Sequence, residues 1–257
     1  MSTRDNNIIP VSDEDLFKQP PQNEECPICC LPLPSVQLGK TYKSCCGKVL
    51  CNGCIYAVSS SSSDVYPLCP FCRTPTATSN EEFNDRLKKH AKVDDENAIF
   101  QLGNYYNSGS DGFLQDHEKA FELWHRAGEL GLAQGNYNIG FSYLNGSGVE
   151  RNDKKAKHYW ELAAIGVHVN ARYNLSSLEM RTGNTDRALK HYMIVVRGGH
   201  NESLRKIREF CMDGHATKDD YATALRYHQE YLGEVKSIHR DEAAAFSDRN
   251  RYLLFDH

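Results

Sequence analysis

Residues 138–166 read NIGFSYLNGSGVERNDKKAKHYWELAAIG, and residues 101–131 read QLGNYYNSGSDGFLQDHEKAFELWHRAGELG. In both, an apolar residue and Gly precede a Tyr, a Gly-rich turn follows, and an Ala then has a Trp four positions later, Ala120 with Trp124 and Ala156 with Trp160. The two Trp stand 36 residues apart, and a repeat of that period marks an array of small supersecondary units. The frame continues more weakly in Ala188 with Tyr192 and Ala224 with His228, while Leu102, Ile139, Leu175 and Ile207 mark the helices that precede. Met193 reads as the residue that replaces the Trp in the third copy, and CMDGHATKDD keeps only the length of the turn in the fourth. Four helical hairpins follow, an all-α solenoid over residues 96–236. Small residues let paired helices approach, Tyr and Trp fill the space between layers, and Gly tolerates positive φ where the chain reverses. The aromatics therefore read as core, and a partner surface is expected on the concave face.

These residues resemble the Sel-one-like repeat, a relative of the tetratricopeptide repeat. The second copy carries the resemblance through Ile139, Gly140, Tyr143, Gly146, Gly148, Val149, Lys155, Ala156, Tyr159, Trp160, Ala163 and Ala164. The resemblance implies stacked antiparallel helix pairs with a role in protein–protein interaction.

Nine of the ten cysteines lie between Cys26 and Cys72, and Cys211, alone outside, reads as a core thiol of the fourth repeat. Cys26-x2-Cys29, Cys51-x2-Cys54 and Cys69-x2-Cys72 are three Cys-x-x-Cys knuckles, each presenting two thiolates on one tight turn. Two complete tetrahedral sites need eight thiolates, and Cys45 with Cys46 supply the remaining two. Cys30 is then the spare, or trades places with Cys29. A fifty-residue module has little core of its own, so structural zinc, on the order of 10 kcal/mol, is expected to stabilise it. A disulfide-linked module, a redox Cys-x-x-Cys and an iron–sulfur cluster are the alternatives; thiolate tetrahedra suit iron–sulfur as well as zinc.

CPIC, CCGKVLCNGC and CPFCR resemble the RING finger in its all-cysteine variety. That resemblance implies a cross-brace, with Cys26, Cys29, Cys51 and Cys54 on one zinc and Cys45, Cys46, Cys69 and Cys72 on the other. The sequence departs from the usual RING in having no His between Cys26 and Cys72 and in the adjacency of Cys45 and Cys46. Both zinc ions would be structural, with four protein ligands each and no catalytic residue. The implied activity is that of a ubiquitin ligase: the module binds a ubiquitin-conjugating enzyme charged with ubiquitin and orients the thioester. Ile28, Ile55 and Pro70 would form the apolar contact. Arg73, directly after the last ligand, would bridge the two partners with its fork of donors. The repeats would hold a protein substrate or scaffold. The alternative is a non-enzymatic zinc-binding adaptor.

Lys and Arg number 30 against 34 Asp and Glu, for a net charge of −4 with no long basic run, so nucleic acid is not an expected partner. No stretch approaches a membrane span, and the N-terminus has no apolar signal core, so the chain is expected to be intracellular, cytoplasmic or nuclear, and not at a membrane. The expected organisation is a disordered tail over 1–24, the zinc module over 25–75, a linker and connecting helix over 76–95, the repeats, and a helical or disordered tail over 237–257. A serine run at 59–63 reads as a loop. Ser79 with Glu82 has the form of a capping box that starts a helix. Three Asn-x-Ser sequons, at Asn145, Asn174 and Asn201, are discounted, and the scattered histidines, among them His90, His117, His125 and His158, read as surface or inter-repeat residues.

Overall fold

A computed structural model describes residues 10–18, 24–35, 38–61 and 68–247. Four helical hairpins form its body: α4 (Glu96–Ser108) with α5 (His117–Glu129), α6 (Ala133–Asn145) with α7 (Asp153–Ile165), α8 (Val169–Arg181) with α9 (Thr185–Val196), and α10 (Asn201–Met212) with α11 (Lys218–Val235). Before them come α1 (Asp13–Phe17), the hairpin of β1 (Lys40–Lys43) and β2 (Lys48–Cys51), α2 (Asn52–Ser61) and α3 (Asn80–Ala91); α12 (Ile238–Phe246) follows. No helix among the described residues is long and apolar enough to cross a membrane.

The repeat works through a glycine and an indole. A Cβ on Gly140 would lie 2.4 Å from the ring of Trp160, and one on Gly103 would lie 2.7 Å from that of Trp124, so each α4- or α6-type helix can meet its partner only at glycine. In the third hairpin the residue at the Trp register is Tyr192, buried four positions after Ala188; Met193 is the neighbour at its edge, which corrects the sequence alignment. With the narrower phenol there, the glycine position is taken by the buried Ser176. Leu102, Ile139, Leu175 and Ile207 are all buried, as their spacing requires. Polar caps start the second helices: Asp116, Asn152 and Thr217 accept from the backbone N–H three residues on. The first helices of the two better copies end on left-handed Gly109 and Gly146.

Several local expectations change in three dimensions. The serine run begins inside α2, where Ser59 and Ser61 donate to the carbonyls of Ile55 and Ala57, four residues back; residues 62 and 63 lie outside the described residues. Ser79 does cap α3, accepting from Glu82 N–H at 3.2 Å, but the Glu82 carboxylate takes its bonds from Thr78 and Arg86 and not from Ser79 N–H, so the box is only half formed. His191 is fully buried, and His168 and His200 are buried caps of α8 and α10, so these three are not surface residues. Cys211 is only partly buried, on the flank of a helix whose core positions are Ile207 and Phe210.

The N-terminal stretch differs most. Residues 12–17, placed in the tail expected to be disordered, form a capped turn of helix whose Leu16 is 1% exposed. Residues 1–9 and 19–23 of that tail, and residues 248–257 of the C-terminal one, lie outside the described residues.

Candidate metal centre

The first and last knuckles are one structure built twice. ECPICCLP (25–32) and LCPFCRTP (68–75) share Cys-Pro-x-Cys and a Pro three residues later. Each is closed by an isolated bridge, Glu25 with Pro32 and Leu68 with Pro75. Cys26 N–H donates to Leu31 O and Cys30 N–H to Cys26 O; Cys69 N–H donates to Thr74 O and Arg73 N–H to Cys69 O. Closing the turn needs a left-handed residue after the second cysteine, and Cys30 (φ 54°) and Arg73 (φ 61°) fill that place. The spacing of the two Cys-Pro pairs and their trailing prolines carried this internal repeat, which the reading of the ligand string passed over.

A single hairpin feeds both clusters. Cys45 and Cys46 sit in the turn between β1 and β2, where Cys46 and Gly47 N–H both donate to Lys43 O. Cys51 ends β2, paired with Lys40, and Cys54 stands in the first turn of α2. Strand β2, four residues at about 3.4 Å each, separates the turn from Cys51 at its end, so the two cysteine pairs serve different places.

The thiols gather as Cys26, Cys29, Cys51 and Cys54 in one group and Cys45, Cys46, Cys69 and Cys72 in the other, with the sulfurs of each group all within 4.8 Å of one another. None of the ten cysteines is in a disulfide. A Zn–S bond of about 2.3 Å sets the edge of a tetrahedron at about 3.8 Å. The observed separations are 3.9 Å for Cys26 to Cys54, 3.8 Å for Cys29 to Cys51 and 3.4 Å for Cys72 to Cys45. The donor set and its spacing thus fit a closed tetrahedral thiolate metal site twice over, with no protein-free position for a substrate. Cys30, the ninth thiol, is exposed and belongs to neither group.

Protonated thiols this crowded are poised against one another. Burial pushes the Cys54 thiol up to about 12 and the Cys46 thiol up to about 11, and it also raises Cys45. In the first cluster the hydrogen bond from Cys51 holds Cys26 down at about 4, with Cys51 raised in turn. A dication held by the four sulfurs of either group would remove this conflict by letting all four ionise. Positive charge is already provided beside the first cluster. Arg240 of α12 is buried, donates to Pro32 O at 2.9 Å and to Val235 O at 2.8 Å, and holds Nη2 3.9 Å from Cys29 Sγ.

Among the residues the sequence singled out for partner contact, Ile28 is 40% exposed at the tip of the first knuckle, and its counterpart in the second, Phe71, is 44% exposed. Phe71 was missed; the twofold Cys-Pro-x-Cys pattern would have found it. Ile55 and Pro70 line one cavity of about 410 Å³ together with Leu68 and Phe83, and Ile28 is not among its walls. Arg73 is exposed at the rim of the second knuckle.

The module rests on the ends of the repeats. Tyr42 donates to Asp95, the cap of α4, at 2.8 Å. Leu132 and His168, the caps of α6 and α8, line a second cavity together with Lys40 and Leu33 of the module. Ser35 N–H donates to the Tyr231 hydroxyl at 3.2 Å, and α12 packs on α2 so closely that a Cβ on Gly53 would meet Arg240 at 2.8 Å. Successive first helices thus direct their N-terminal ends at the cysteine module, and the far end of the solenoid reaches back to it through α12.

Comparison with known proteins agrees with the repeat architecture. The ERAD-associated E3 ubiquitin-protein ligase component HRD3B of Arabidopsis thaliana is 29% identical over 126 residues, 43% of this chain and 20% of that protein. Chitin synthase regulatory factor 2 of Schizosaccharomyces pombe is 29% identical over 84 residues, 33% of this chain and 16% of that protein. The chain thus spans a fifth or less of the length of these relatives. A Sel1 repeat protein from Oxalobacter formigenes superposes with a TM-score of 0.51 at 23% identity, over 60% of this chain and 64% of that one, and shares the fold. The Sel1 repeat family matches residues 97–132 and 133–166, which are the first two hairpins. These two hairpins are therefore Sel1 repeats, and the solenoid they begin shares the fold of a Sel1 repeat protein.

Proposed function

We propose that the protein is an interaction scaffold in which a zinc-loaded, RING-like module is mounted on Sel1-type repeats that hold a protein partner. The observation that carries this reading is the joint: two closed thiolate clusters stand on the helix ends of the repeat array, so the two parts form one presenting surface. The clusters have no open ligand position, and this favours presentation of proteins over metal-centred chemistry. Repeat proteins of this kind act through their surfaces, and HRD3B is named as a component of a ubiquitin ligase, which is consistent with assembly of such machinery.

A second reading makes the module itself a ubiquitin ligase, with two structural zinc ions held by the eight cysteines and with a ubiquitin-conjugating enzyme and ubiquitin as partners. It is favoured by the exposed Ile28 and Arg73, and by Ile55 and Pro70 in one cavity beside the second cluster. The left-handed turn sets the backbone of Arg73 at the rim of the second knuckle, and a guanidinium there would serve two proteins through its fork of donors.

One experiment separates the readings. The purified chain is assayed for zinc by elemental analysis and for autoubiquitination with a panel of conjugating enzymes, beside Ile28→Ala and Arg73→Ala. Two zinc ions per chain are expected in all three proteins. Transfer that falls at least tenfold in both variants establishes the ligase; a zinc-loaded chain inert across the panel leaves the scaffold; a folded chain without zinc removes both metal-based readings.

A further inference from the structure

A short acidic segment of the chain already sits in a groove of the repeats. Its walls are α7 and α9 and its floor is α8. Leu16 enters a pocket of Trp160, Ala163, Ala164, Ala171 and Leu175. The Phe17 ring lies 4.8 Å from that of His191 and is covered by Arg187 at 5.3 Å and Lys190 at 5.5 Å. Arg172, buried, donates Nη1 to the Leu16 carbonyl at 2.7 Å, and Arg187 pairs with Asp13. A five-residue helix has no stability of its own in water, so this order is imposed by the groove.

The groove is built for more than apolar cover. Arg172, Arg187 and Lys190 face the segment, and the buried Glu179 between Lys157 and Arg187 offsets only part of that charge. The recognition elements are few and specific: one aliphatic anchor, one aromatic under two cations, one acid, and one carbonyl capped by a buried guanidinium. This is the pattern of a short helical peptide bound in a receptor groove. Among the described residues the attachment runs from Val11 through this single turn, and the contacts of α1 are with α7, α9 and the floor they enclose.

We propose that this groove is a receptor for a partner protein bearing an acidic helical turn of the form Asp-x-x-Leu-Phe, and that Asp13, Leu16 and Phe17 occupy it in cis until such a partner displaces them. The proposal deepens the scaffold reading by giving the partner a chemistry. A tethered segment acts at an effective concentration on the order of millimolar, so the cis occupant screens out weak competitors and yields to strong ones.

The test uses a fluorescent peptide of the chain's own residues 11–18, VSDEDLFK, titrated against the zinc-loaded 257-residue chain and read by anisotropy. The Leu16→Ala/Phe17→Ala chain, with its groove vacated, is expected to bind the peptide at least tenfold more tightly than the unaltered chain. Binding is expected to vanish when the peptide carries Leu16→Ala. Adding Arg187→Glu to the protein should weaken it at least tenfold, with recovery when the peptide carries Asp13→Arg. A folded double variant that ignores the peptide overturns the proposal and makes the segment a fixed strap. If the double variant does not fold, a protease site placed within residues 19–23 and cut in the folded protein decides instead. Release of the segment by excess peptide supports exchange, and retention overturns it. Concentration-dependent dimers of the unaltered chain that the peptide dissolves would make a second copy the occupant and overturn the partner assignment. Peptide binding with no protein held by the repeats would sink the scaffold reading alone; assembly of partners without peptide binding would sink the groove alone.

Discussion

The cysteine module and the repeats reach order by opposite means. In the module the buried apolar residues beyond the cysteines are few, Leu33 and Leu50 foremost, and its centre is two knots of sulfur. The repeats bury a series of clusters in which Trp124, Trp160 and Tyr192 lie among small residues such as Ala156, Ala171 and Ala224. The first arrangement concentrates stability in two points that need a metal; the second spreads it over many contacts, none of which is essential alone. The contrast teaches that damage should be all-or-none in the module and graded in the solenoid.

The largest expected effect breaks the comparison at the metal. Chelation, or Cys51→Ser, removes on the order of 10 kcal/mol of zinc binding from the module. The expected outcome is exchange of the backbone amides of residues 24–75 at the unfolded rate, with the far-ultraviolet helical signal of the repeats largely kept. Collapse of that signal as well would mean that the solenoid depends on the module for its own fold.

Acid should strike the repeats and their joint with the module. Burial lowers the pKa of His168 to about 3, with Lys40 of the module adding to it, and burial likewise lowers His191 to about 3, with Arg172, Arg187 and Lys157 helping and Glu179 opposing. The unfolded state binds protons to these rings from about pH 6.5, and the folded state does not until near 3. Stability from neutral histidine is therefore full above 6.5 and is lost as pH falls through this window. At pH 5 each ring should cost about 2 kcal/mol, measured as a fall in the urea midpoint. His191→Phe should reduce the slope, and an unchanged slope would show that the ring is solvated.

Arg240→Met sharpens the comparison at the joint. It leaves the carbonyls of Pro32 and Val235 without their buried donor and removes a cation from beside Cys29, at a cost of about 3 kcal/mol. The loss should appear as earlier zinc release to a chelator while the repeats keep their midpoint. A joint effect on both would make α12 part of one cooperative unit.

The smallest effect lies within the repeats. Gly140→Ala sets a methyl 2.4 Å from Trp160 and should cost about 2 kcal/mol, whereas Gly183→Ala, whose Cβ meets nothing within 4 Å, should cost only the strain of its positive φ. Thermal unfolding of the pair checks the difference, and equal losses would deny the indole its role as the spacer between helices.

The sequence alone determined what is written in short-range spacing. Ala with an aromatic four residues on marks one face of a helix, and paired thiols with two residues between them share a turn, so the repeats and the knuckles were legible without coordinates. The twofold Cys-Pro-x-Cys motif was equally legible and lacked only a comparison of the first knuckle with the last. Tertiary structure decided which thiols gather, that the helix caps Asp95, Leu132 and His168 meet the module, that His191 is interior, and that Leu16 fills a pocket of α7 and α8. Each of these joins residues far apart in the chain, where no local period or propensity records the pairing; only the burial of complementary surfaces selects it. Residues 12–17 make the point most plainly: as a sequence they are a polar stretch too short to order itself, and as part of the fold they are held by what the distant repeats present to them.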